Sequence, residues 1–376
     1  MKIIYITTST TNTEIELAIK NDCRRYNPSN QNFHHALIRA FACNYNVEVI
    51  SSAKCFDKNK NFEIEDYINY NFLKYSNYKF LKMFSLKKSL NDLLTNIYKN
   101  DANLILVIDA MNVRLSYSAL KIAKKLHLTT IGIISDHPYM LNNVSKAYQK
   151  SIINLFKKYD AYIFLTENLN KEFNLKNKPF IIINGIYSNN KANHIKIKTP
   201  YFFFSGALYE KYGVKTLINA FLQTANDYNL IIAGDGELKN YIVKKSIRVK
   251  RLQYVGVLPQ NELQTYQESA IANINPRPFT KKMDAFCIPS KMFEYLASGS
   301  IVISTYHSLL YKDFKPCVLW CEDNENSLIE TIDQACDLDK ATRKRMIKYA
   351  SNVINKKYSL NTVAKNLDAF IKKLKI

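Results

Sequence analysis

A short segment at residues 288–305, IPSKMFEYLASGSIVIST, has residue types and a spacing suited to a phosphorylated ligand. If Ser290 caps a helix that starts there, Ser290, Lys291 and Glu294 share one of its faces, and the apolar residues face the core. The backbone N–H groups at a helix N-terminus and the ammonium group of Lys291 favour a phosphate. A carboxylate one turn later can accept hydrogen bonds from both hydroxyls of a ribose. The pattern therefore predicts a nucleoside diphosphate along this helix.

The same spacing has a simpler explanation, which the sequence leaves open. A lysine and a glutamate at positions i and i+3 form an ordinary solvent-exposed pair on many helices. In both cases Gly299 is expected to end the helix, and residues 301–305 are expected to form a buried strand directly after it. The two explanations differ in whether Glu294 faces a binding site or open solvent.

A second pair of polar residues, Asp136 and His137, follows the apolar run TTIGIIS. Because this run is a predicted strand, both side chains are expected at the carboxyl end of a sheet, where ligands of α/β proteins bind. An acid and an imidazole there can position an acceptor hydroxyl and handle its proton. The alternative is a helix-capping Asp136 beside a structural His137 in an ordinary turn.

The elements that position these residues alternate between strands and helices. In the first half, apolar runs such as KIIYITTS, NLILVIDA and AYIFLT predict short buried strands. Between them, NFHHALIRAFAC and SYSALKIAKKLH have helical periodicity, and the histidines His34 and His35 of the first helix are expected to be structural. This alternation is typical of an α/β fold with a doubly wound parallel sheet.

A polar stretch at residues 187–199 separates this half from a second one. The strand pattern restarts with YFFFSG, NLIIAGDG, RLQYVGV, AIANINP and SIVIST. We therefore predict two doubly wound domains, residues 1–186 and 200–376, joined by a linker and separated by a ligand cleft. The last stretch predicts an amphipathic helix, which can pack back on the first domain. Its apolar face consists of Val363, Leu367, Phe370 and Ile371.

The composition is that of a globular protein. Of the 376 residues, 47% are hydrophobic and 23% are charged, and no apolar run approaches the about 20 residues that cross a bilayer. The seven cysteines have no zinc-binding spacing and are expected to be reduced thiols. The N-terminus lacks the pattern of a signal peptide, which favours a cytoplasmic location.

The formal net charge of +21 implies either an anionic partner or a compositional bias towards lysine. Lysines alternate with aromatic residues between Tyr67 and Lys88, which suits an anionic membrane surface. These lysines are Lys74, Lys79, Lys82, Lys87 and Lys88. The alternative is a helix with aromatic residues in the core and lysines in solvent. We expect no nucleic acid partner, because no nucleic-acid-binding motif accompanies the stretch.

Taken in order, FFFSGALYEKYGVKTLINAF, LIIAGDGELKNYI, NINPRP and PSKMFEYLASGSIVIST resemble the carboxyl half of the GT-B glycosyltransferases. TIGIISDHPYM and YIFLTENLNKEFNLKNKPFIIINGI resemble the first domain of the same group. Within that group the chain looks like the retaining, family-four-like enzymes of bacterial surface polysaccharide synthesis. The resemblance covers nearly the whole chain and implies a GT-B fold of two facing Rossmann-like domains.

The resemblance implies roles for three residues of the opening segment. Glu294 matches the second acid of a paired-glutamate motif, which binds the ribose of the sugar donor. Ser290 and Lys291 match the turn whose backbone surrounds the diphosphate. The donor would therefore lie in the second domain, and Asp136 and His137 would lie on the acceptor side.

The resemblance also implies roles for two glycine turns and two cations. Gly206 matches the turn beneath the donor phosphates. The turn beside the nucleotide corresponds to Gly234, Asp235 and Gly236. Lys211 and Arg277 are the cations available to neutralise the leaving diphosphate, which is the main electrostatic task in this transfer.

Three positions depart from the family pattern. The first acid of the paired motif, eight positions before Glu294, is replaced by Phe286. Ala207 stands where an arginine is common, and Tyr212 stands where a lysine is common, with Lys211 displaced by one position. These departures leave open the alternative of a non-catalytic glycan-binding or partner subunit.

The resemblance therefore implies a retaining glycosyltransferase that moves a sugar from a UDP-linked nucleoside diphosphate sugar to a hydroxyl of a glycan or lipid-linked acceptor. We expect no metal and no other cofactor. The expected process is cell-surface polysaccharide synthesis, with the protein in the cytoplasm or on the inner face of the membrane. A nucleotide-sugar epimerase of the same architecture is the alternative enzyme.

Overall fold

The chain divides into two units in the computed structural model. The first unit contains Met1–Ile186, Ala285–Cys287 and Leu360–Ile376, and the second contains Tyr187–Asp284 and Ile288–Ser359. The structure describes residues 1–11, 14–15, 17, 28–53, 67–76, 78–101, 103–141, 144–188 and 200–374. Most of the predicted linker, residues 189–199, lies outside the described residues.

A parallel sheet of seven strands forms the centre of the described part of the first unit. The strands are β1 (Lys2–Thr7), β2 (Asn46–Ser51), β3 (Ile68–Phe72), β4 (Leu104–Asp109), β5 (Thr129–Ile134), β6 (Ala161–Phe164) and β7 (Phe180–Ile182). Their order across the sheet is β3-β2-β1-β4-β5-β6-β7. The central strands are buried on both faces, which is why their sequences are continuous apolar runs.

Helices cover both faces of this sheet. Pro28–Ala42 and Leu360–Leu374 pack with one core, which contains Ile3 and Tyr5 of β1. The other core contains Ile4 of β1 and is covered by a second group of helices. This group consists of Lys79–Asn100, Val113–Lys125, Lys146–Phe156 and Glu167–Phe173. The predicted apolar face of the last helix is buried in the first unit.

The second unit repeats the same design. Its parallel strands are β8 (Tyr201–Ser205), β9 (Asn229–Ala233), β10 (Leu252–Gly256), β11 (Ala272–Asn275), β12 (Ile301–Thr305) and β13 (Val318–Cys321). Their order is β10-β9-β8-β11-β12-β13. The helices are Val214–Gln223, Lys239–Arg248, Gln260–Ser269, Lys291–Ala297, Ser308–Phe314, Glu325–Asp337 and Lys340–Val353. A further helix, Lys281–Phe286, begins in this unit and ends in the segment Ala285–Cys287 of the first unit. The predicted α/β class with two doubly wound sheets is confirmed.

Two strands were not predicted, and both lie at a sheet edge. Among the described strands, β3 pairs only with β2 and β13 pairs only with β12. The sequence of β3, INYNF, contains two asparagines and is partly exposed, so it lacks the apolar run of a central strand. The basic-aromatic stretch at 67–88 is therefore part strand, and its helix begins at Lys79.

His34 lies in the core of the first unit, which fits a structural residue. Its Nδ1 atom is 2.7 Å from the Tyr5 hydroxyl, and its Nε2 atom is 3.5 Å from the Asp109 carboxylate. All three side chains are buried. Burial lowers the pKa of His34, and the nearby Asp109 opposes this effect only in part.

We expect the first unit to lose stability as the pH falls below about 6.5, the ordinary pKa of histidine. The unfolded chain then binds a proton at His34 that the folded unit does not bind, so the free energy of unfolding decreases by up to about 1.4 kcal/mol per pH unit. Urea unfolding of the wild type and of His34→Gln, at neutral pH and near pH ~5.5, measures this effect. The stability advantage of the wild type should shrink at the lower pH, and an unchanged advantage would contradict the prediction.

Candidate donor site and acceptor-side residues

Three loops come together at the carboxyl edge of the second sheet, following β8, β9 and β11. Backbone hydrogen bonds join the first two loops. Gly206 N–H donates to the Ala233 carbonyl at 3.1 Å, and Leu208 N–H donates to the Asp235 carbonyl at 2.9 Å. The Leu208 carbonyl in turn accepts from Leu238 N–H at 2.9 Å. The predicted glycine turns at 206 and 234–236 therefore form one connected backbone structure.

Gly234 is required by this close approach of two backbones. Its φ is +136°, a conformation that residues with a side chain rarely adopt. A Cβ atom at this position would lie 1.8 Å from the carbonyl oxygen of Gly206. No side chain fits there, so the packing of the two loops requires a glycine at position 234.

The third loop joins the first through Gly213. This residue has a φ of +77°, and a Cβ atom there would lie 1.9 Å from the carbonyl oxygen of Pro276. Arg277, which follows Pro276 in the third loop, is also held in place, because its carbonyl accepts a hydrogen bond from the Thr305 hydroxyl. Arg277 is thus held beside the loop that carries Lys211.

Arg277 and Lys211 both lie against the ring of Tyr212. The guanidinium carbon of Arg277 is 5.5 Å from the ring centroid, and Lys211 Nζ is 5.3 Å from it. Among the described residues, neither cation has a carboxylate within ion-pair distance. The Nε atom of Arg277 is buried and makes no hydrogen bond within the described part of the chain. Two cations without acidic partners at this edge suit a diphosphate.

Glu294 lies on the helix Lys291–Ala297 with a side chain that is 19% exposed. Its Oε2 atom accepts hydrogen bonds from Lys291 Nζ at 2.8 Å and from Gln267 Nε2 at 3.2 Å. Its Oε1 atom has no hydrogen bond to any residue that the structure describes. The pair of Lys291 and Glu294 therefore exists, but its carboxylate is largely enclosed instead of lying in open solvent.

Ser290 precedes this helix but does not cap it, so the predicted N-cap is wrong. Its φ of −57° and ψ of −31° are helical, and its side chain makes no capping hydrogen bond. A capping residue normally has an extended backbone. Here the turn starts one residue earlier, because Met292 N–H donates to the Pro289 carbonyl at 3.0 Å. Gly299, with a φ of +82°, follows the helix end as predicted.

Two supporting residues of this site were not predicted. The Tyr295 hydroxyl accepts a hydrogen bond from Ser205 N–H at 2.8 Å and so ties the helix to the end of β8. Burial raises the pKa of Tyr295, which keeps the hydroxyl protonated. A tyrosine at a buried position of a predicted helix could have indicated such a contact, because a buried hydroxyl needs a hydrogen-bond partner. Gln267 had no such signal, since it lies 27 residues from Glu294.

The carboxylates near the loops are exposed or engaged. Asp235 is exposed, with its carboxylate 3.7 Å from Lys239 Nζ, and Glu237 accepts a hydrogen bond from Glu210 N–H at 3.0 Å. Within the described ranges, no group of three or more His, Cys, Asp or Glu side chains could hold a metal ion. The loops therefore offer cations and backbone groups to a ligand.

In the first unit, Asp136 and His137 follow β5, with Asp136 half-buried and His137 buried. The Nδ1 atom of His137 accepts a hydrogen bond from Tyr139 N–H at 3.2 Å. Its Nε2 atom lies 2.8 Å from Glu172 Oε1, so the proton resides on Nε2 and is donated to that carboxylate. With both nitrogens engaged, His137 caps the turn Pro138–Met140. The acceptor-side role of both residues stays a prediction.

Phe286 belongs to the first unit, together with its two neighbours. Its ring centroid lies 4.6 Å from that of His137. The preceding carbonyl, that of Ala285, accepts hydrogen bonds from Thr166 Oγ1 at 3.2 Å and Asn168 Nδ2 at 3.0 Å. The residue that replaces an acid of the family pattern is thus an aromatic ring packed on a buried histidine.

The sequence and fold were compared with known proteins. Residues 187–353 match the model of the family described as Glycosyl transferases group 1, and this segment contains the three loops and the helix Lys291–Ala297. A search of curated protein sequences finds no significant match. The match in sequence therefore covers less than half of the chain and lies almost entirely in the second unit.

Solved structures match over the full length. A sucrose-phosphate synthase from Thermosynechococcus elongatus is 12% identical with a TM-score of 0.71, covering 100% of this chain and 99% of that one. The Anabaena protein HepE, solved with UDP-glucose, is 12% identical with a TM-score of 0.67, covering 99% and 100%. The lipopolysaccharide outer core galactosyltransferase WaaB is 16% identical with a TM-score of 0.62, covering 100% of both chains.

At these identities, the likeness to solved structures concerns the fold. It extends over both units, whereas the likeness in sequence is confined to the segment with the candidate donor site. The predicted GT-B architecture is therefore confirmed, and residues 187–353 carry the sequence pattern of the group 1 glycosyl transferases.

Proposed function

We propose that the protein is a glycosyltransferase that binds a UDP-linked sugar in the second unit and transfers the sugar to a hydroxyl of a glycan or lipid-linked acceptor. The observation that carries this proposal is the pair of cations Arg277 and Lys211, which have no acidic partner among the described residues and lie beside the connected glycine turns. The match of this segment to the group 1 glycosyl transferases supports it. HepE, which has the same fold, was solved with UDP-glucose.

In the proposed site, three side chains bind two parts of the donor, the diphosphate and the ribose. Arg277 and Lys211 neutralise the diphosphate, whose negative charge grows as the bond to the sugar breaks. The Oε1 atom of Glu294 accepts hydrogen bonds from the ribose hydroxyls. Because the chain supplies the positive charge itself, we propose a transfer that needs no metal ion, and we propose that it retains the configuration of the sugar.

On the acceptor side, we assign the positioning of the hydroxyl to Asp136, which lies half-buried at the end of β5. His137 holds the adjacent turn through its bonds to Tyr139 and Glu172. A role in cell-surface polysaccharide synthesis on the cytoplasmic side of the membrane is part of the same proposal. The fold shared with a lipopolysaccharide galactosyltransferase supports this part.

Thermal unfolding with a panel of UDP, GDP, ADP and UDP-sugars tests the donor. A ligand present at 100 times its Kd stabilises the folded protein by about 2.7 kcal/mol, so UDP should raise the Tm clearly above the other nucleotides. A panel without any effect contradicts the proposal. Release of UDP in the presence of glycan or lipid acceptors then tests transfer. Binding of UDP without any release of UDP from UDP-sugars favours a non-catalytic subunit. Conversion of one UDP-sugar into another in the absence of an acceptor favours the epimerase.

Replacing Glu294 by alanine is expected to weaken UDP binding at least tenfold. Hydrogen bonds to a charged group contribute about 1.5 to 3 kcal/mol each, and the variant loses those to the ribose. Calorimetric titration with UDP measures this loss. Inorganic pyrophosphate, which has no ribose, should bind the variant and the wild type equally.

The matched control for this variant is Glu330→Ala, since Glu330 is an exposed acid of the same unit. It should bind UDP like the wild type. If Glu294→Ala also binds UDP like the wild type, Glu294 serves only as the partner of Lys291 and Gln267.

A further inference from the structure

Three helices of the first unit lie side by side on one face of its sheet: Lys79–Asn100, Val113–Lys125 and Lys146–Phe156. Their inward sides form a core with the strands, so their outward sides make a continuous surface. We propose that this outward surface, the basic helix face, binds the anionic surface of a lipid membrane. The proposal adds a partner to the proposed function and does not depend on the chemistry of the donor site.

The basic helix face has an almost uncompensated positive charge. The three helices contain five, four and two Lys or Arg residues, and Asp92 is their single acid. The exposed cations are Lys82, Lys87, Lys88, Lys99, Arg114, Lys121, Lys124, Lys125, Lys146 and Lys150. Among the described residues, none of them forms an ion pair with a carboxylate. Their charge is therefore available to an external anionic surface.

One end of this face also exposes large apolar side chains, at the start of the helix Lys79–Asn100. A soluble surface rarely collects several such residues within two helical turns unless they contact a partner. The exposed fractions are 77% for Tyr78, 57% for Leu81, 54% for Met83 and 69% for Phe84. These apolar residues and the exposed Lys82, Lys87 and Lys88 therefore lie within the first turns of the same helix.

One side of the helix Lys79–Asn100 is buried in the core, and the opposite side is exposed. Leu90 and Leu94 are buried in the core of the first unit. Leu81, Phe84 and Lys88 follow the spacing i, i+3, i+7 and lie on the opposite side. Packing within the unit accounts for the first side only. Helices that lie in a membrane interface have this arrangement. Their apolar side chains insert below the headgroups, and a lysine on the same side extends to the headgroup charges.

The chemistry of this end favours a membrane over a single-stranded nucleic acid. Nucleic acids are held by aromatic rings that stack on bases, and aliphatic side chains such as Leu81 and Met83 add nothing to stacking. Both kinds of side chain contribute when buried at the boundary between headgroups and acyl chains. No helix in the described ranges is long and apolar enough to cross a bilayer. The proposed contact is therefore peripheral.

Co-sedimentation with vesicles tests the proposal. The probes are neutral phosphatidylcholine vesicles and vesicles with about 30% phosphatidylglycerol. The wild type should partition into the anionic vesicles at least tenfold better, and added salt should weaken this binding. Lys87→Gln combined with Lys88→Gln should lower the partition coefficient about 30-fold, at about 1 kcal/mol per cation. Leu81→Ser combined with Phe84→Ser should lower it about tenfold.

Matched controls come from the second unit. Ile247→Ser removes a side chain that is 79% exposed, and Lys344→Gln combined with Lys348→Gln removes two exposed cations. Both control variants should bind vesicles like the wild type. Equal sedimentation with both vesicle types, or wild-type binding by both test variants, overturns the proposal. Tighter binding of a single-stranded oligonucleotide than of anionic vesicles also overturns it. These outcomes leave the Tm shift with UDP unaffected.

Discussion

Replacing Arg277 by alanine should weaken UDP binding by a factor of about 10 to 100, which corresponds to one or two charge-assisted hydrogen bonds. The buried Nε atom of Arg277 has no hydrogen bond within the described residues, and its carbonyl is anchored by Thr305. A diphosphate would satisfy this donor. Because the charge on the leaving group grows during the transfer, the rate should fall further, by about 10² to 10³ in total. Calorimetry with UDP and the rate of UDP release measure the two effects.

Two further variants define the role of Arg277. Arg277→Lys keeps the charge but loses the planar fork of donors, so it should recover part of the affinity and less of the rate. Arg345→Ala removes an exposed cation of the same unit and should change neither quantity. If Arg277→Ala binds UDP like the wild type, the diphosphate does not bind between the loops after β8 and β11.

Replacing Gly234 by alanine is expected to destabilise the second unit by about 3 kcal/mol or more. The new Cβ atom would lie 1.8 Å from the carbonyl oxygen of Gly206, and the φ of +136° is unfavourable for alanine even without this contact. The two loops would have to separate, so UDP binding should be lost as well. Urea unfolding and calorimetry measure both effects.

Gly299→Ala is the matched control for this variant. Gly299 also has a positive φ, +82°, but a Cβ atom there would meet no atom within 4 Å. The control should lose only about 1 to 2 kcal/mol, the energy of a left-handed conformation, and should retain UDP binding. Equal losses in the two variants would mean that the contact with Gly206 contributes nothing.

The elements that could be predicted are those whose structural environment is visible in their own sequence. A run such as IIYI at the start of β1 is apolar because the strand is covered by helices on both faces. β3 could not be predicted, because it is an edge strand among the described strands, and its partly exposed asparagines interrupt the apolar run. β13 (VLWC) is mostly buried and was also missed, although the equally short β6 was predicted.

The same distinction applies to the candidate site. The turns at Gly206 and Gly234 were predicted from the family resemblance, and at Gly234 the structure shows the cause, because a Cβ atom there would collide with the Gly206 carbonyl. The cap at Ser290 was predicted wrongly, because its type and position in the sequence do not reveal its helical dihedrals. The contacts of His137 with Glu172 and of Glu294 with Gln267 could not be predicted, since Glu172 and Gln267 belong to other helices.

The helix Leu360–Leu374 has a consequence for the order in which the protein can fold during synthesis. This helix completes a core of the first unit against the helix Pro28–Ala42, and its backbone and side chains are bound by Asn44 and Tyr45. A ribosome makes it only after the whole second unit. The nascent first unit must therefore keep an apolar surface uncovered throughout that time, which is the kind of surface that chaperones bind. A fragment that ends at residue 186 would keep this surface permanently and is expected to aggregate.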